Sequence, residues 1–538
     1  MSNPKGNVSV MKNLDPHDLG AIFARISRAP YSVRGTLLQE YVNSKGQFDV
    51  QKAEKVFDRV LNQFGDDSVG QLGGAHIYFT WVSMLATKVI EDLRIGGEPL
   101  EESTRYVEFD KKVNWDFLGK NDCYRYHVPE ELTGEVRKKY VKYLNHFFDL
   151  YTEMLPKMRT YIIKNNLLEN FETIFEGKTV LYKELVDEKK KKETQRAYNM
   201  AVKAQVCDII RCVLPAATTT TLGIRGNGQF FTRLITKLWT FENKEFNVLG
   251  NEIKKELDTL MPAFVKRSKI DDYLLSINTS MEKIFDKYFS NIEKKDTFYS
   301  SWQKKELREV ILYHHCKDKQ IERLSAMLFP YLQLSTWQIR DVLVRLNDSE
   351  RKEIETAYLG ERKTRRHRTG RGLEWGYPYQ FDIIAAFAEY RDLQRHRMMS
   401  QQRQKITPHL GFSMPQEIIE IGYEDKVKRC IEMSKELYTE LCSVGLDHLA
   451  EYVTLFNHQL RFNFSMNERQ LQHLCELRSQ KQGHTGYRII AQEMAKQALL
   501  RDSWLSESLK FVNYKHYLGL CRAEAEAKQS AKNWKLIK

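Results

Sequence analysis

The hydrophobic pattern of the chain is set by two stretches, each of which couples a strand to a helix. In the first, a turn of glycines and acids around Gly65-Asp66-Asp67-Ser68 leads into Ile77-Tyr78-Phe79-Thr80-Trp81-Val82, a run of strand-type residues. An amphipathic helix over Met84 to Leu93 is predicted to follow. In the second, Phe381-Asp-Ile-Ile-Ala-Ala-Phe-Ala has the mixed periodicity of a short strand passing into a buried helix. Between them, Glu131 to Leu155 reads as one long helix with Tyr140, Tyr143, Leu144, Phe147, Tyr151 and Leu155 on one face, a stripe that belongs to a core more readily than to a ligand box.

The same pattern divides the chain. Residues 1–18 form a flexible N-terminus, and 19–262 a first domain that opens with a short strand and helices between Ala21 and Leu61. Residues 263–307 are a charged helical connector, 308–512 a second domain, and 513–538 a basic C-terminal tail. Spacing of motifs makes the two domains a weak tandem repeat, with Arg94 set against Arg397 and Asn227 against Asn467.

The second apolar run ends in Arg395-His396-Arg397. Two guanidiniums and an imidazole at one helix end suit a polyanionic or electron-rich ligand, such as a cofactor with phosphates. A solvated helix end is the other reading. Arg366-His367-Arg368 repeats the tripeptide in a loop-like basic run with no apolar lead-in.

Composition changes this picture little. At 538 residues with 42% apolar side chains the chain has material for two or three cores. Its formal charge of +13 favours anionic partners without choosing between nucleotides, nucleic acid and acidic protein surfaces. The lysine run after Asp187 reads as a solvated face. The eight cysteines include no CxxC pair and read as buried reduced thiols, so no metal site is expected. No apolar run is long enough to span a bilayer and the N-terminus has no signal core, which predicts a cytoplasmic protein without a membrane partner.

Arg395-His396-Arg397, then Asn467, then Leu474-Cys-Glu-Leu477-Arg478 and Ala491-Gln-Glu-Met resemble, in order and spacing, the C-terminal half of a flavin-dependent thymidylate synthase. Ser103-Thr-Arg105-Tyr106 resembles that family's loop ending Ser-x-Arg-Tyr, and Asp208-Ile-Ile-Arg211-Cys-Val-Leu-Pro215 followed by Asn227 resembles its Arg ahead of a Leu-Pro pair. The resemblance implies an α/β fold of the α+β type, with two helix-rich synthase-like domains forming a pseudo-dimer. It also implies reductive methylation of dUMP to dTMP, with FAD as cofactor and methylenetetrahydrofolate and NADPH as co-substrates.

What each copy lacks is informative. The first has Asp92-Leu93-Arg94 in place of Arg-His-Arg and Lys237-Leu238 in place of Leu-Arg, but keeps Ser103, Arg105, Tyr106 and Arg211. The second keeps Arg395, His396, Arg397, His473 and Arg478, lacks a Ser-x-Arg-Tyr, and has Glu451 as its counterpart of Arg211. Family members are homotetramers with sites shared between subunits, so the resemblance implies composite sites and a homodimer of fused chains. On this reading Ser103, Arg105 and Arg211 hold the nucleotide phosphate, with Tyr106 and Asn227 also on the nucleotide, while Arg395, His396, Arg397, Asn467 and His473 hold the flavin. Arg478 binds or polarises the pyrimidine, and Arg478 and His396 are the catalytic candidates.

Three departures widen the substrate class to another pyrimidine nucleotide or a uridine in a polynucleotide: an extra residue between Arg94 and Ser103, the divided motifs, and Glu451, which repels phosphate. A flavin-free relative acting as a nucleic-acid-binding protein or scaffold is the alternative of a different class, and its binding would weaken steeply with salt.

Overall fold

The computed structural model describes residues 69–115, 120–290, 309–312, 318–363 and 369–517, together with residue 520 and a few short pieces before residue 50. The expectations for residues 1–18, for most of Ala21 to Leu61, for Arg366-His367-Arg368 and for most of the C-terminal tail lie outside the described residues.

In chain order the elements that matter are β1 (Gly74–Ser83), α1 (Met84–Glu91), β2 (Gly97–Glu101), α2 (Gly134–Asn165) and α3 (Glu188–Ile210). They continue with β3 (Thr219–Asn227), α4 (Gly228–Thr240), β4 (Glu309–Leu312), β5 (Tyr379–Ala386), α5 (Phe387–Leu393) and β6 (Ser400–Arg403). The last are α6 (Glu424–Ser443), β7 (Gln459–Met466), α7 (Glu468–Arg478) and α8 (Thr485–Arg501). The architecture is helix-rich α+β with small antiparallel sheets. The connector segment is helical over Asp272–Tyr288.

Two compact units result. Residues up to Glu102, Pro129–Glu131 and Thr219–Leu275 make the first, and Ser103–Val128, Leu132–Thr218 and everything from Ser276 onward make the second. The second unit therefore takes α2, α3, the Ser103-Thr-Arg105 loop and Arg211 from the first half of the sequence.

In the first unit the sheet order is β1-β3-β2, with both pairings antiparallel. The pairing of β1 with β3 shifts register between Phe79 and Val82, and Trp81 takes a φ of 57° there, as a bulge requires. Ser83 caps α1 by accepting from the Ala86 N–H, and Glu245 in turn accepts from Ser83 N–H and Oγ. The amphipathic reading of α1 is corrected by the structure: all eight of its residues are buried. Its one basic residue is accommodated by partners, because Lys88 Nζ lies 2.6 Å from Glu91 and 2.9 Å from Glu101.

In the second unit the order is β6-β7-β5-β4, and every residue of β5 and β7 is buried. The buried charge on these strands is paired: Asp382 lies 3.5 Å from Arg461 and accepts from the Thr336 N–H. The long helix α2 starts three residues later and ends ten residues further on than its apolar stripe suggested, running through Pro156. Five of the six stripe residues are buried, and Tyr143 instead donates to Glu436 on α6.

The two sheets share one register. Ser83 faces Thr219, eight residues before Asn227, and Ala386 faces Gln459, eight residues before Asn467. Both asparagines cap the following helix, accepting from the Phe230 and Gln470 N–H groups. Counting from these anchors sets Asp92 against Arg395, Leu93 against His396, Leu238 against Arg478, and Arg211 against Glu451.

Candidate functional site

The local structure of the second unit explains how residues far apart in sequence converge. Leu214 to Ala217, which follow Arg211, run antiparallel to Tyr452–Phe456: Ala216 N donates to Thr454 O (2.7 Å), Ala217 N to Tyr452 O (3.0 Å), and Phe456 N to Leu214 O (2.8 Å). Phe456 O in turn accepts from Ala388 N on α5. Arg211 is thereby carried to the α5 end, where Asp392 stands.

Arg105 Nε lies 2.9 Å from Asp208 Oδ1 and 2.8 Å from Asp208 Oδ2. Arg211 donates from Nη1 to Thr104 Oγ1 at 2.9 Å, and its Nη2 lies 3.2 Å from Asp208 and 3.9 Å from Asp392. Burial works against both carboxylates, yet Arg105 and Arg211 hold each below the ordinary range, and Arg478 adds to the effect on Asp392. Burial likewise opposes the charge on Arg105, but Asp208 and Asp392 outweigh it and raise its pKa.

The second-repeat residues adjoin this cluster. Arg105 and Arg478 both lie over the ring of Tyr487, with Cζ 5.8 and 5.5 Å from its centroid. Arg478 Nε donates to His396 Nε2 at 2.9 Å. On the other side of the ring His396 Nδ1 lies 3.2 Å from Gln470 Nε2. Burial, then Arg478 and His473, push His396 down to about 3, so the ring is neutral at physiological pH. It orients Arg478 and has no acidic proton to give. His473 meets His396 edge-on, with ring centroids 5.5 Å apart. Arg395 and Arg397 flank the buried His396 and are exposed.

A cleft of about 510 Å³ opens beside Arg105, with Asp208, Glu389, Ser413 and His484 among its walls. It runs past the start of α8, where His484 caps the helix through Nδ1 and is itself pushed down to about 4, chiefly by burial. Gly486 is required in that first turn: a Cβ there would lie 1.8 Å from Glu389 Oε1.

The structure thus brings Arg105, Arg211, His396, His473 and Arg478 together, with Ser103 Oγ accepting from Arg105 N at 3.4 Å. Tyr106 closes the same turn through its N–H to Ser103 O. Asn227 belongs to the first unit, and Asn467 is engaged as a helix cap. Glu451 accepts from Arg403 at 2.9 Å, so a local ion pair fills the second repeat's counterpart of the Arg211 position. Sequence reasoning missed Asp208, Asp392, His484 and Tyr487. Only Asp208 carried a signal, since three residues before Arg211 near a helix end is the same face.

A family model described as thymidylate synthase complementing protein (Thy1) matches residues 9–263 and 341–500. The chain belongs to this family. Its thymidylate-synthase-complementing module occurs here as a divergent tandem duplication. UPF0159 proteins of Chlamydia muridarum and Chlamydia pneumoniae are each 34% identical, over 98% and 96% of this chain and 96% and 93% of their own. A UPF0159 protein of Thermoplasma acidophilum is 28% identical over 96% of this chain and 99% of its own. Among solved structures, the flavin-dependent thymidylate synthase ThyX from Helicobacter pylori, complexed with FAD and dUMP, is 14% identical and covers 46% of this chain and 93% of that one, with a TM-score of 0.24. Among the described residues, no helix is long and apolar enough to cross a membrane.

Proposed function

We propose that the chain is an FAD-dependent enzyme that reductively methylates a uracil nucleotide, with dUMP to dTMP as the reference reaction and methylenetetrahydrofolate and NADPH as co-substrates. The observation that carries this reading is the shared ring of Tyr487: the Ser-x-Arg motif of one repeat and the Leu-Arg motif of the other meet across it.

The residues present suit a flavin. The exposed Arg395 and Arg397 guanidiniums fit its phosphates, and His396 and His473 present two rings beside them. Bound there, FAD supplies the hydride once reduced. The chain's own contribution is orientation and charge. His396 fixes Arg478 through its Nε2, and Arg478 stabilises negative charge on the pyrimidine, as a preorganised cation in a partly buried site does well. Ser103, Arg105 and Arg211 meet the sugar end of the substrate. Two fused chains assemble as a homodimer on this reading, which a native mass measures.

Purified protein should be yellow, bleach with NADPH, and convert dUMP when given methylenetetrahydrofolate. A colourless preparation that takes up no added FAD overturns the reading. A second reading, another pyrimidine substrate, is favoured by one observation: Arg105 and Arg211 already share two carboxylates.

A further inference from the structure

A second hollow, of about 890 Å³, is lined by α2 and α6 of the second unit, and it holds none of the residues assigned above to flavin or nucleotide. On α2 its wall runs from Arg137 to Asp149, about 18 Å at 1.5 Å per residue. Four fixed cations line it, Arg137, Lys138 and Lys142 on α2 and Arg429 on α6, against one carboxylate, Asp149. All four cations are exposed.

The acids beside the hollow are already engaged. Glu135 pairs with Lys138 at 2.7 Å, and Glu436 and Glu440 share Lys139. Lys142 and Arg429 form no ion pair among the described residues. Lys138, Lys142 and His146 stack four residues apart on α2, a spacing at which like charges destabilise a helix. The row therefore costs the helix stability, and a ligand that brings negative charge along it offsets that cost.

The wall suits a strand better than a single phosphate. Its cations are spread along the hollow and interleaved with two rings, Tyr143, held by its hydroxyl on Glu436, and the exposed His146. Cations that follow a backbone and rings on which bases stack are the recurring means of holding single-stranded nucleic acid. Val141 and Met433 add apolar surface for the bases, which an acidic peptide would leave unused. Asp149 repels phosphate but is exposed and accepts from Tyr124 through Oδ1 alone, so its other oxygen is open to a ribose 2′-hydroxyl, a group that DNA lacks.

We infer that this hollow binds single-stranded RNA, with phosphates along Arg137, Lys142 and Arg429 and bases against Tyr143 and His146.

Fluorescence anisotropy of a labelled uridylate oligomer of about twelve nucleotides, titrated with the full chain at graded salt, tests it. The logarithm of affinity should fall with the logarithm of salt at a slope of roughly −2 to −3, about −0.7 for each of up to four phosphates. The double variant Lys142→Ala/Arg429→Ala should weaken binding at least about tenfold and make the slope shallower by about 1.4. Lys157→Ala/Lys178→Ala removes two exposed charges outside the hollow and should leave affinity within about twofold of wild type. Equal weakening by the two double variants overturns the inference, as does unchanged binding in a folded Lys142→Ala/Arg429→Ala protein or no binding of the oligomer at low salt. A deoxy oligomer or a polyglutamate chain that binds as tightly as the RNA overturns it too, by giving the hollow to DNA or to an acidic protein. The flavin reading is unaffected by any of these results, because flavin colour reports on it separately.

Discussion

The corner at which the first sheet-helix turn meets the helix after the central strand is built twice in this chain, and the two versions differ in kind. In the first unit it holds Asp92, Leu93, Lys237 and the buried Leu238, and Lys237 closes it by donating to Asp92 at 2.8 Å and to the Val89 carbonyl. In the second unit the same places hold Arg395, His396, Leu477 and Arg478. Here the pairing runs inward, from Arg478 to a buried imidazole, and Arg395 and the nearby Arg397 are exposed. One corner satisfies its own charges and stops. The other gathers arginines around a buried imidazole, and on the proposed function it is the copy that meets the flavin. The division is complementary, because Glu451 pairs with Arg403 at the place where Arg211 faces Asp208 and Asp392.

The sharpest break of this contrast is loss of turnover. Arg105→Ala and Arg478→Ala should each reduce turnover at least about 100-fold in steady-state assay of the folded protein, equivalent to about 2.7 kcal/mol of transition-state stabilisation. Full activity in either variant would end the case for a composite site.

Next in size is the buried lysine cluster of the first unit. Lys88→Met leaves Glu91 and Glu101 facing each other without a cation, and should cost about 3–5 kcal/mol by denaturant unfolding. Flavin content is the second readout, and it should not fall in the protein that stays folded.

Acid should discriminate the units by a smaller margin. His396 and His458 are held down to about 3 and His484 to about 4, so between pH 6.5 and about 4 the unfolded chain takes up protons that the folded second unit does not. Stability therefore falls as pH falls, by at most about 1.4 kcal/mol per pH unit for each histidine. Asp208 and Asp392, whose pKa values are depressed, add a loss below the ordinary carboxylate range. Hydrogen exchange at graded pH should show second-unit amides opening first; equal loss in both units would contradict this.

The smallest effect is expected at Lys237. Its pair with Asp92 is 21% and 31% exposed, and Lys237→Ala should cost no more than about 1 kcal/mol and leave turnover unchanged. A larger loss of activity would mean that the first corner also serves a ligand.

Much of this was visible in the chain. The strand-to-helix joints at Ser83 and Ala386 follow from local apolar pattern, whereas Asn227 and Asn467, read from the sequence as ligand residues, prove to cap helices. Of the central strands, Thr219–Asn227 was hidden by its three threonines and two glycines, whereas Gln459–Met466 alternates polar and apolar residues and only the burial of its polar face could not be read. Full burial of α1 was hidden as well, since a lysine in the helix reads as solvent-facing until its two glutamates are seen.

By itself the sequence determined the module, its duplication, and which motif survives in which copy, because these are matters of residue type at fixed intervals. Only the tertiary structure decided that Arg105 and Arg211 face Asp208 and Asp392, and that Tyr487 lies beneath Arg105 and Arg478. The physical reason is that charge interactions act through space at a few ångströms, between residues up to several hundred positions apart. No local periodicity records that proximity.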